Sequence, residues 1–245
     1  MKKYADELNN SAEYFRNNNS YLWMCNQISA FETVFEVGCG TGQSTISLLE
    51  TGHRIIVVEK NTYCINKAKE LIKGSNYVIC SNLESFYETS NCVYFIECDI
   101  MSDAFFETYA DIKFDVAICW NIGTYWSKDM ISYYLPMMKI YGLNEIQIMQ
   151  NPESSYAELL LWVTCKFASA KSSNVHIIER GTFDTNESND VYYYTLKDEF
   201  GFSKITYDNL KSTALSKGGR ILSTNGIAHK TKDVDITFVS ILLET

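Results

Sequence analysis

The amino-acid sequence predicts an α/β fold: a doubly wound, mostly parallel sheet with an antiparallel hairpin at its C-terminal edge. Apolar, strand-like runs alternate with helix-like segments from residue 33 to residue 171, and such alternation is typical of parallel sheets covered by helices on both faces. The stretch 34–45 is a second observation, because it places Gly38, Gly40 and Gly42 between a buried strand and a helix start. This layout brings the backbone close to a nucleotide-like ligand.

Composition is consistent with one domain that spans 1–245. The chain has 245 residues, 46% of them hydrophobic, which is enough for a sizeable core. A net charge of −9 counts against the broad basic surface that nucleic acids require. The N-terminus lacks the apolar run of a signal peptide, and no segment has the roughly 20 apolar residues of a membrane span. The eight cysteines are scattered without C-x-x-C or zinc spacing, so we expect buried free thiols, no metal site and a cytoplasmic location.

Helices and strands can be assigned in order through most of the chain. Residues 1–32 carry apolar residues at helical spacing and predict one or two helices, broken near 17–19. Apolar runs of strand length predict five strands, namely 33–37, 54–58, 93–98, 114–119 and 145–150. Helical segments, several of them followed by glycine, are predicted at 43–50, 62–73, 129–141 and 154–171. Residues 77–80 fit an additional short strand before a short helix.

The last third of the sequence is less regular. Four segments fit strands, two of an inserted hairpin and two of a closing edge hairpin: 175–178, 191–194, 203–207 and 235–243. Thr195 fits the N-cap of a short helix. The closing pair leaves little room for a crossover helix, which predicts antiparallel pairing. Residues 209–232 show no regular pattern, and 172–232 as a whole are expected to form an insertion and loops on the substrate side.

The spacing of the glycine loop, residues 38–42, narrows the choice of ligand. G-x-G-x-G differs from the G-x-G-x-x-G of dinucleotide binders, which counts against an NAD-dependent oxidoreductase. Glu36 lies just before the loop, where its charge would repel a pyrophosphate but attract a cation. Cys39 in the loop and Cys119 further along have no basic partner nearby in sequence, so both are predicted to be packing thiols.

Four stretches, in this order along the chain, resemble the class I S-adenosylmethionine-dependent methyltransferases. They are 35–42 with the glycine loop, 55–59 with its terminal acid, 94–100 with Asp99, and 114–121. The resemblance implies a seven-stranded, Rossmann-like sheet, methyl transfer as the activity and S-adenosylmethionine as the cofactor. This cofactor carries a sulfonium and an ammonium but no phosphate, which suits an acid beside the loop.

The resemblance also implies cofactor-binding residues at the carboxyl ends of the strands. They are Glu36, Gly38, Cys39, Gly40, Thr41, Gly42, Glu59, Lys60, Asp99, Ile100 and Trp120. Glu59 is expected to accept from the ribose hydroxyls, while the Asp99 carboxylate and the Ile100 N–H are expected to contact the adenine. Taken singly, the glycines also fit a tight turn, Glu59 a helix cap and Asp99 a turn residue. Their joint occurrence in order favours the cofactor site.

The acceptor is less well specified. The segment after residue 119 lacks the Pro-Pro motif of amino-methylating nucleic-acid enzymes, the Pro-Cys nucleophile of cytosine-C5 enzymes and the clustered acids of metal-dependent oxygen methylation. Candidate acceptor-pocket residues are Tyr14, Tyr21, Asn121, Tyr125 and Trp126, since aromatic faces suit amines and apolar rings. Core packing is the alternative role for the aromatic ones. Residues 1–32 are expected to form a helical lid.

Together these patterns predict methyl transfer to an N or O nucleophile of a small-molecule acceptor, mainly through positioning and exclusion of water. A protein or RNA methyltransferase and a non-catalytic S-adenosylmethionine or S-adenosylhomocysteine binder are alternatives. No catalytic base is identified, because His53 precedes its strand on the wrong side of the sheet. His176 and His229 fall in the irregular last third, where they could enter the site from above but where surface roles are expected. No membrane or nucleic-acid partner is expected, and the sequence does not indicate an oligomeric state.

Overall fold

Eight strands form one sheet in the computed structural model of the protein, which describes residues 2–120, 128–218, 222–224, 227–229 and 231–245. The strands are β1 (Thr33–Val37), β2 (Arg54–Glu59), β3 (Val78–Cys80), β4 (Cys92–Glu97), β5 (Val116–Trp120), β6 (Asn174–Gly181), β7 (Lys204–Leu215) and, after two short strands, β10 (Asp233–Glu244). Their order across the sheet is β3-β4-β2-β1-β5-β6-β10-β7. A separate two-stranded sheet pairs β8 (Ser223–Thr224) with β9 (Ile227–Ala228).

Helices cover both faces of this sheet. In chain order the described helices are α1 (Lys2–Asn17), α2 (Ser20–Gln27), α3 (Gln43–Glu50), α4 (Thr62–Lys73), α5 (Leu83–Glu88), α6 (Asp103–Tyr109), α7 (Lys128–Tyr141), α8 (Glu145–Gln150), α9 (Pro152–Ser169) and α10 (Tyr193–Phe200). Within the described ranges, no helix combines the length and the apolar character that crossing a bilayer requires.

Six neighbouring strands, from β3 to β6 across the sheet, run parallel. Their carboxyl ends therefore lie along one edge of the sheet, which we call the carboxyl edge. β10 is antiparallel to both β6 and β7. The predicted doubly wound, mostly parallel sheet with an antiparallel C-terminal hairpin is thus confirmed. The strand count of seven was wrong, because β3 adds an eighth strand beside β4.

Two apolar cores, one on each face, hold the layers together. Successive strand side chains point to opposite faces, so Val34 of β1 contributes to the core under α1–α4 and Phe35 to the core under α5–α10. The second core is rich in aromatic rings: Phe35 stacks on Phe114 with centroids 4.9 Å apart and contacts Phe167 at 5.4 Å. Both faces of β1 are fully buried, which explains its unbroken apolar appearance around Glu36.

Residues 145–150, predicted as a strand, form helix α8 instead. The Asn144 side chain accepts the N–H of Gln147 at 2.8 Å and caps the helix. Glu145 adds a negative charge to the first turn, where the helix dipole favours it. These local signals outweigh the alternating isoleucines that suggested a strand, and only Ile148 of α8 is buried.

The region after α9 contains more of the main sheet than the sequence suggested. Residues 175–178 belong to β6, a central strand that is parallel to β5, so the inserted hairpin was wrong. Residues 191–194 were also wrongly predicted as a strand, because Asp190 accepts the N–H groups of the next helix start at 2.8 to 2.9 Å. Thr195 therefore lies inside α10 rather than at its N-cap. β7 continues to Leu215, well into the segment that lacked a pattern.

Gly42, at the start of α3, lies directly against Ala68 of α4 behind the glycine loop. A Cβ built on Gly42 would lie 2.6 Å from the Ala68 Cβ and 2.7 Å from the Ala68 Cα, and the Gly42 φ is +87°. Gly52 has a similar φ of +92° but nothing within 4 Å of such a Cβ. The two glycines therefore share the backbone conformation and differ in the space around them.

We predict that Gly42→Ala lowers the free energy of unfolding by about 3 kcal/mol or more, because the left-handed conformation and the clash with α4 both add to the cost. Gly52→Ala should lower it by only about 1 to 2 kcal/mol, the conformational cost alone. Chemical denaturation of both variants measures the difference. An equal decrease in the free energy of unfolding for both variants would show that Ala68 moves away from the new methyl group and that α3 and α4 are loosely packed.

Candidate functional site

The glycine loop leads from the carboxyl end of β1 into α3. Gly38, Gly40 and Gly42 all have left-handed backbone, with φ values of 75°, 53° and 87°, which residues with a Cβ adopt only at a cost. The Gly38 N–H donates to the Val58 carbonyl of β2 at 2.9 Å, and the Gly42 N–H donates back to Cys39 at 3.0 Å. The loop is therefore held by its own turn and by the neighbouring strand.

Helix α1 crosses the carboxyl edge above this loop. Leu8 comes within 2.9 Å of the position that a Cβ on Gly40 would occupy. On one side Asp6 forms an ion pair of 2.9 Å with Lys67 of α4. On the other side the Tyr14 hydroxyl shares a hydrogen bond of 2.7 Å with Thr213 of β7. These contacts anchor α1 at two distant points of the edge.

Glu36 is buried beneath the loop, on the face of the sheet that α3 covers. Its two carboxylate oxygens accept from the Ser44 and Thr45 hydroxyls at 2.5 and 2.6 Å. Burial raises the pKa of Glu36 to about 7; the two hydroxyls oppose that shift and the charge of Glu59 adds to it. Glu36 thus fixes the start of α3 relative to β1.

Glu59 lies at the carboxyl end of β2 and bridges two segments of backbone. One carboxylate oxygen accepts the Gly40 N–H at 3.3 Å, and the other accepts the Asn61 N–H at 2.8 Å. Burial raises the pKa of Glu59, while these N–H groups and Lys60 favour its ionised form. Glu59 therefore contacts the start of α4, as the helix-cap alternative predicted, and it contacts the glycine loop at the same time.

Asp99, just beyond β4, is held by one backbone donor and one side chain. Its Oδ1 accepts the Met101 N–H at 3.0 Å, as in a turn. Its Oδ2 accepts from the Tyr134 hydroxyl of α7. Burial, together with the Asp99 carboxylate, raises the pKa of Tyr134, so this phenol stays protonated and donates. Ile100, next to Asp99, is buried.

Lys60 reaches into the same cluster from the end of β2. Its ammonium donates to the hydroxyls of Tyr134 at 3.2 Å and Tyr156 at 2.5 Å. It also lies 5.1 and 4.3 Å from the centroids of the two rings, which adds cation–π attraction. Burial lowers the pKa of Lys60, and the charges of Asp99 and Glu59 oppose that change.

Trp120 ends β5 on the face that α1–α4 cover, and its indole is part of a hydrogen-bonded chain across three strands. Its Nε1–H donates to His176 Nδ1 of β6 at 2.9 Å. An indole can only donate, so His176 must carry its proton on Nε2, which donates to Ser240 of β10 at 2.8 Å. Burial lowers the pKa of His176 to about 3. The predicted surface role of His176 was therefore wrong.

The candidate acceptor-pocket residues divide into two groups. Tyr21 is buried on α2, and burial raises the pKa of its phenol, with Glu36 adding to the shift and Arg180 opposing it. Tyr14 is half-buried and bonded to β7. Asn121, Tyr125 and Trp126 lie outside the described residues. The structure therefore brings Tyr14 and Tyr21 to the face of the sheet that α1 and α2 cover.

The cysteines and His53 have the environments of packing residues. All eight cysteines are free thiols, and only Cys98 is not fully buried. Burial raises the pKa of Cys39 well above its usual value and that of Cys119 to about 12, so both are poor nucleophiles. His53 is buried at the amino end of β2, with Nδ1 2.8 Å from the Phe31 carbonyl oxygen.

Three residues at the carboxyl edge were missed by sequence reasoning. Tyr134 and Tyr156 come from helices, where their spacing resembles ordinary core packing, so no local signal marks them. Glu179 near the end of β6 could have been found, because it follows the apolar run 175–178 just as Glu59 follows the run of β2. The wrong assignment of that run to an inserted hairpin concealed it.

Comparison with known proteins adds a family match and distant structural similarities. A family model described as a methyltransferase domain matches residues 35–132. Similar solved structures include TehB from Haemophilus influenzae, with 13% identity, coverage of 96% of this chain and 67% of that chain, and a TM-score of 0.46. A putative RNA methyltransferase from Pyrococcus horikoshii has 13% identity, coverage of 92% and 82%, and a TM-score of 0.45. Magnesium protoporphyrin IX methyltransferase from Synechocystis PCC 6803, with bound SAM, has 13% identity, coverage of 92% and 79%, and a TM-score of 0.44. No curated protein matches the chain.

The burial of Glu36 predicts a specific pH dependence of stability. The pKa of Glu36 is about 7 in the folded protein against the usual 4.5. Its stabilising contribution to the free energy of unfolding is therefore full below pH 4.5 and is lost as the pH rises through 7. The free-energy difference between the wild type and Glu36→Gln should fall by on the order of 3 kcal/mol over that range. Loss of a hydroxyl contact in the variant shifts this difference equally at every pH.

Chemical denaturation between pH 4.5 and 8 measures this difference, and Glu70→Gln, which replaces an exposed glutamate of α4, is the control. A constant difference between the wild type and Glu36→Gln across the range would contradict the burial of a titrating Glu36.

Proposed function

We propose that the chain is a class I S-adenosylmethionine-dependent methyltransferase that methylates an N or O nucleophile of a small molecule at the carboxyl edge, and the match of a methyltransferase-domain model to residues 35–132 supports the methyl-transfer part of this proposal. The observation that carries the proposal is the alignment of the glycine loop, Glu59 and Asp99 at the ends of β1, β2 and β4. These strands are adjacent in the order β4-β2-β1, and open α/β sheets bind ligands at such strand ends.

The residues at this edge fit an extended ligand that has an amino-acid end and a nucleoside end. In our proposal the loop backbone receives the amino-acid end, Glu59 the ribose and Asp99 the adenine amine, with the Ile100 N–H toward the ring. Two buried polar atoms support the fit, because Thr41 Oγ1 and Asn61 Nδ2 have no hydrogen-bond partner among the described residues. Buried polar groups normally have partners, and a ligand with hydroxyl and carboxylate groups can supply them.

The protein's own contribution is mainly positioning. When bound, S-adenosylmethionine supplies a methyl group on a sulfonium, which is already a good leaving group. The loop and Glu59 would fix the cofactor against β1 and β2, so that the acceptor meets it in one orientation. Helix α1, with Leu8 over Gly40, is placed to serve as a lid that excludes water from this edge.

Charge supports a small acceptor over RNA. The carboxyl ends of four parallel strands carry acidic residues at or near the edge, namely Glu36, Glu59, Asp99 and Glu179. The whole chain has a net charge of −9. A phosphate backbone would be repelled from such an edge, because RNA-binding surfaces derive much of their affinity from basic side chains.

Substitutions at Asp99 and Tyr134 are expected to change the affinity for the cofactor in opposite directions. Asp99→Asn removes the charged acceptor proposed for the adenine amine and should weaken binding of S-adenosylhomocysteine by about 10-fold or more. Tyr134→Phe removes the phenol that donates to the same oxygen, and it should tighten binding by about 3- to 10-fold, since the ligand no longer has to displace it. Titration calorimetry measures both affinities.

Glu97→Gln is the matched control, because Glu97 is an exposed carboxylate two residues before Asp99 that accepts from Thr62 at 2.6 Å. The Glu97→Gln variant should bind S-adenosylhomocysteine with the same affinity as the wild type. Wild-type affinity in Asp99→Asn would refute the role of Asp99. A Tyr134→Phe variant that binds more weakly would show that Tyr134 supports the cofactor instead of competing with it.

A further inference from the structure

The strand order fixes where an acceptor can approach, if the proposed function holds. The proposed adenine, ribose and amino-acid ends of the cofactor follow the order β4-β2-β1, and the next strands in the sheet are β5 and β6. Neighbouring strands are about 4.8 Å apart, so the end of β6 is roughly 10 Å from the end of β1. An acceptor therefore has to lie over the carboxyl ends of β5 and β6.

Glu179 is the first residue of β6 beyond its pairing with β5. The last register pair of these strands joins Trp120 to Ile178, and Glu179 then pairs only with Val239 of β10. Its side chain is half-buried and points to the face that Cys119 and Ile177 share. This position places a carboxylate beside the end of β5, on the acceptor side of the edge.

Among the residues that the structure describes, no side chain donates a hydrogen bond to the Glu179 carboxylate. The backbone N–H of Arg180 favours its ionised form, and no ion pair within 4 Å joins it to a described Lys or Arg. The Arg180 guanidinium extends to the opposite face, where it lies 6.0 Å from the Phe15 ring centroid. Burial raises the pKa of Glu179, and Arg180 only partly offsets that. A half-buried carboxylate that no side chain pairs is costly for a fold to keep.

The ring of Tyr193 packs against the same apolar core that Cys119 and Ile177 belong to, on the face to which Glu179 points. The charge of Glu179 adds to the burial that raises the pKa of Tyr193, the first residue of α10. Asp190 fixes the position of that residue, because it accepts the Tyr193 N–H at 2.9 Å and the Tyr207 hydroxyl at 2.5 Å. A carboxylate beside an aromatic ring is a favourable environment for an organic cation.

We propose that Glu179 binds a positively charged nitrogen of the acceptor, and hence that the acceptor is an amine. This inference rests on the proposed function, and it narrows the acceptor from any N or O nucleophile to an amine that binds as its ammonium. For methyl transfer the ammonium would give one proton to the Glu179 carboxylate. The freed lone pair would then bond to the methyl carbon while the carbon–sulfur bond breaks and S-adenosylhomocysteine leaves. The carboxylate would supply selectivity for an amine over the corresponding alcohol, since an uncharged hydroxyl gains far less from a half-buried charge.

The test uses two probes of equal shape, phenethylammonium and 2-phenylethanol, titrated into the complex of the full chain with S-adenosylhomocysteine. The wild-type complex should bind the ammonium at least 10-fold more tightly than the alcohol. Glu179→Gln should abolish this preference and leave the affinity for S-adenosylhomocysteine unchanged. Glu158→Gln, which replaces a half-buried glutamate of α9 whose pKa burial also raises, should keep the preference.

Folding is checked separately by thermal unfolding. Glu179→Gln should unfold at the same temperature as the wild type or higher, because it removes a half-buried charge that no side chain pairs. Retained ammonium preference in Glu179→Gln, or no ammonium preference or no ammonium binding in the wild-type complex, would overturn the inference. Failure of the wild type to bind S-adenosylhomocysteine would instead refute the proposed function on which it rests.

Discussion

The carboxylate of Glu59 joins the elements that meet at the centre of the carboxyl edge. It ends β2, accepts the Gly40 N–H of the glycine loop and accepts the Asn61 N–H at the start of α4. Besides Glu59, the glycine loop is held by the Gly38 N–H bond to the Val58 carbonyl and by its own turn from Gly42 to Cys39. Gly42 then packs directly against α4, so the loop, the strand and the helix form one rigid unit. The orientation of every other group at the edge is set relative to this unit.

Around that unit the edge is built from buried acids in different environments. The Glu36 carboxylate is satisfied by two hydroxyls and stabilises the start of α3. Asp99 accepts from Tyr134, whose hydroxyl also accepts from Lys60, so α7 is tied to the strand ends through side chains. Glu179 accepts from no side chain among the described residues, and only the Arg180 backbone N–H favours its charge. Along the sheet the acids follow the order Asp99, Glu59, Glu36 and Glu179, with the proposed cofactor at the first three and the proposed acceptor at the last.

Local sequence signals predicted the parts of this structure that depend on local physics. The strand–loop–helix unit at β1, the helix 62–73 and the acids at 59 and 99 follow from burial, glycine conformation and strand length. Residues 145–150 were misassigned because the alternating isoleucines were given more weight than the Asn144 cap and the Glu145 charge, the local signals that favour a helix. The cluster of Tyr134 and Tyr156 could not be predicted, since its members are distant in sequence. Glu179 carried a usable signal that was lost when β6 was taken for a hairpin.

Hydrogen–deuterium exchange with and without saturating S-adenosylhomocysteine tests most directly whether the carboxyl edge is the cofactor site. Backbone amides in 38–42, 59–61 and 97–101 should exchange more slowly in the complex, because the ligand would cover the ends of β1, β2 and β4 together. The amino ends of the same strands, including residues 112–115, should exchange at an unchanged rate. Unchanged exchange throughout the chain, or protection confined to the amino ends, would contradict the account.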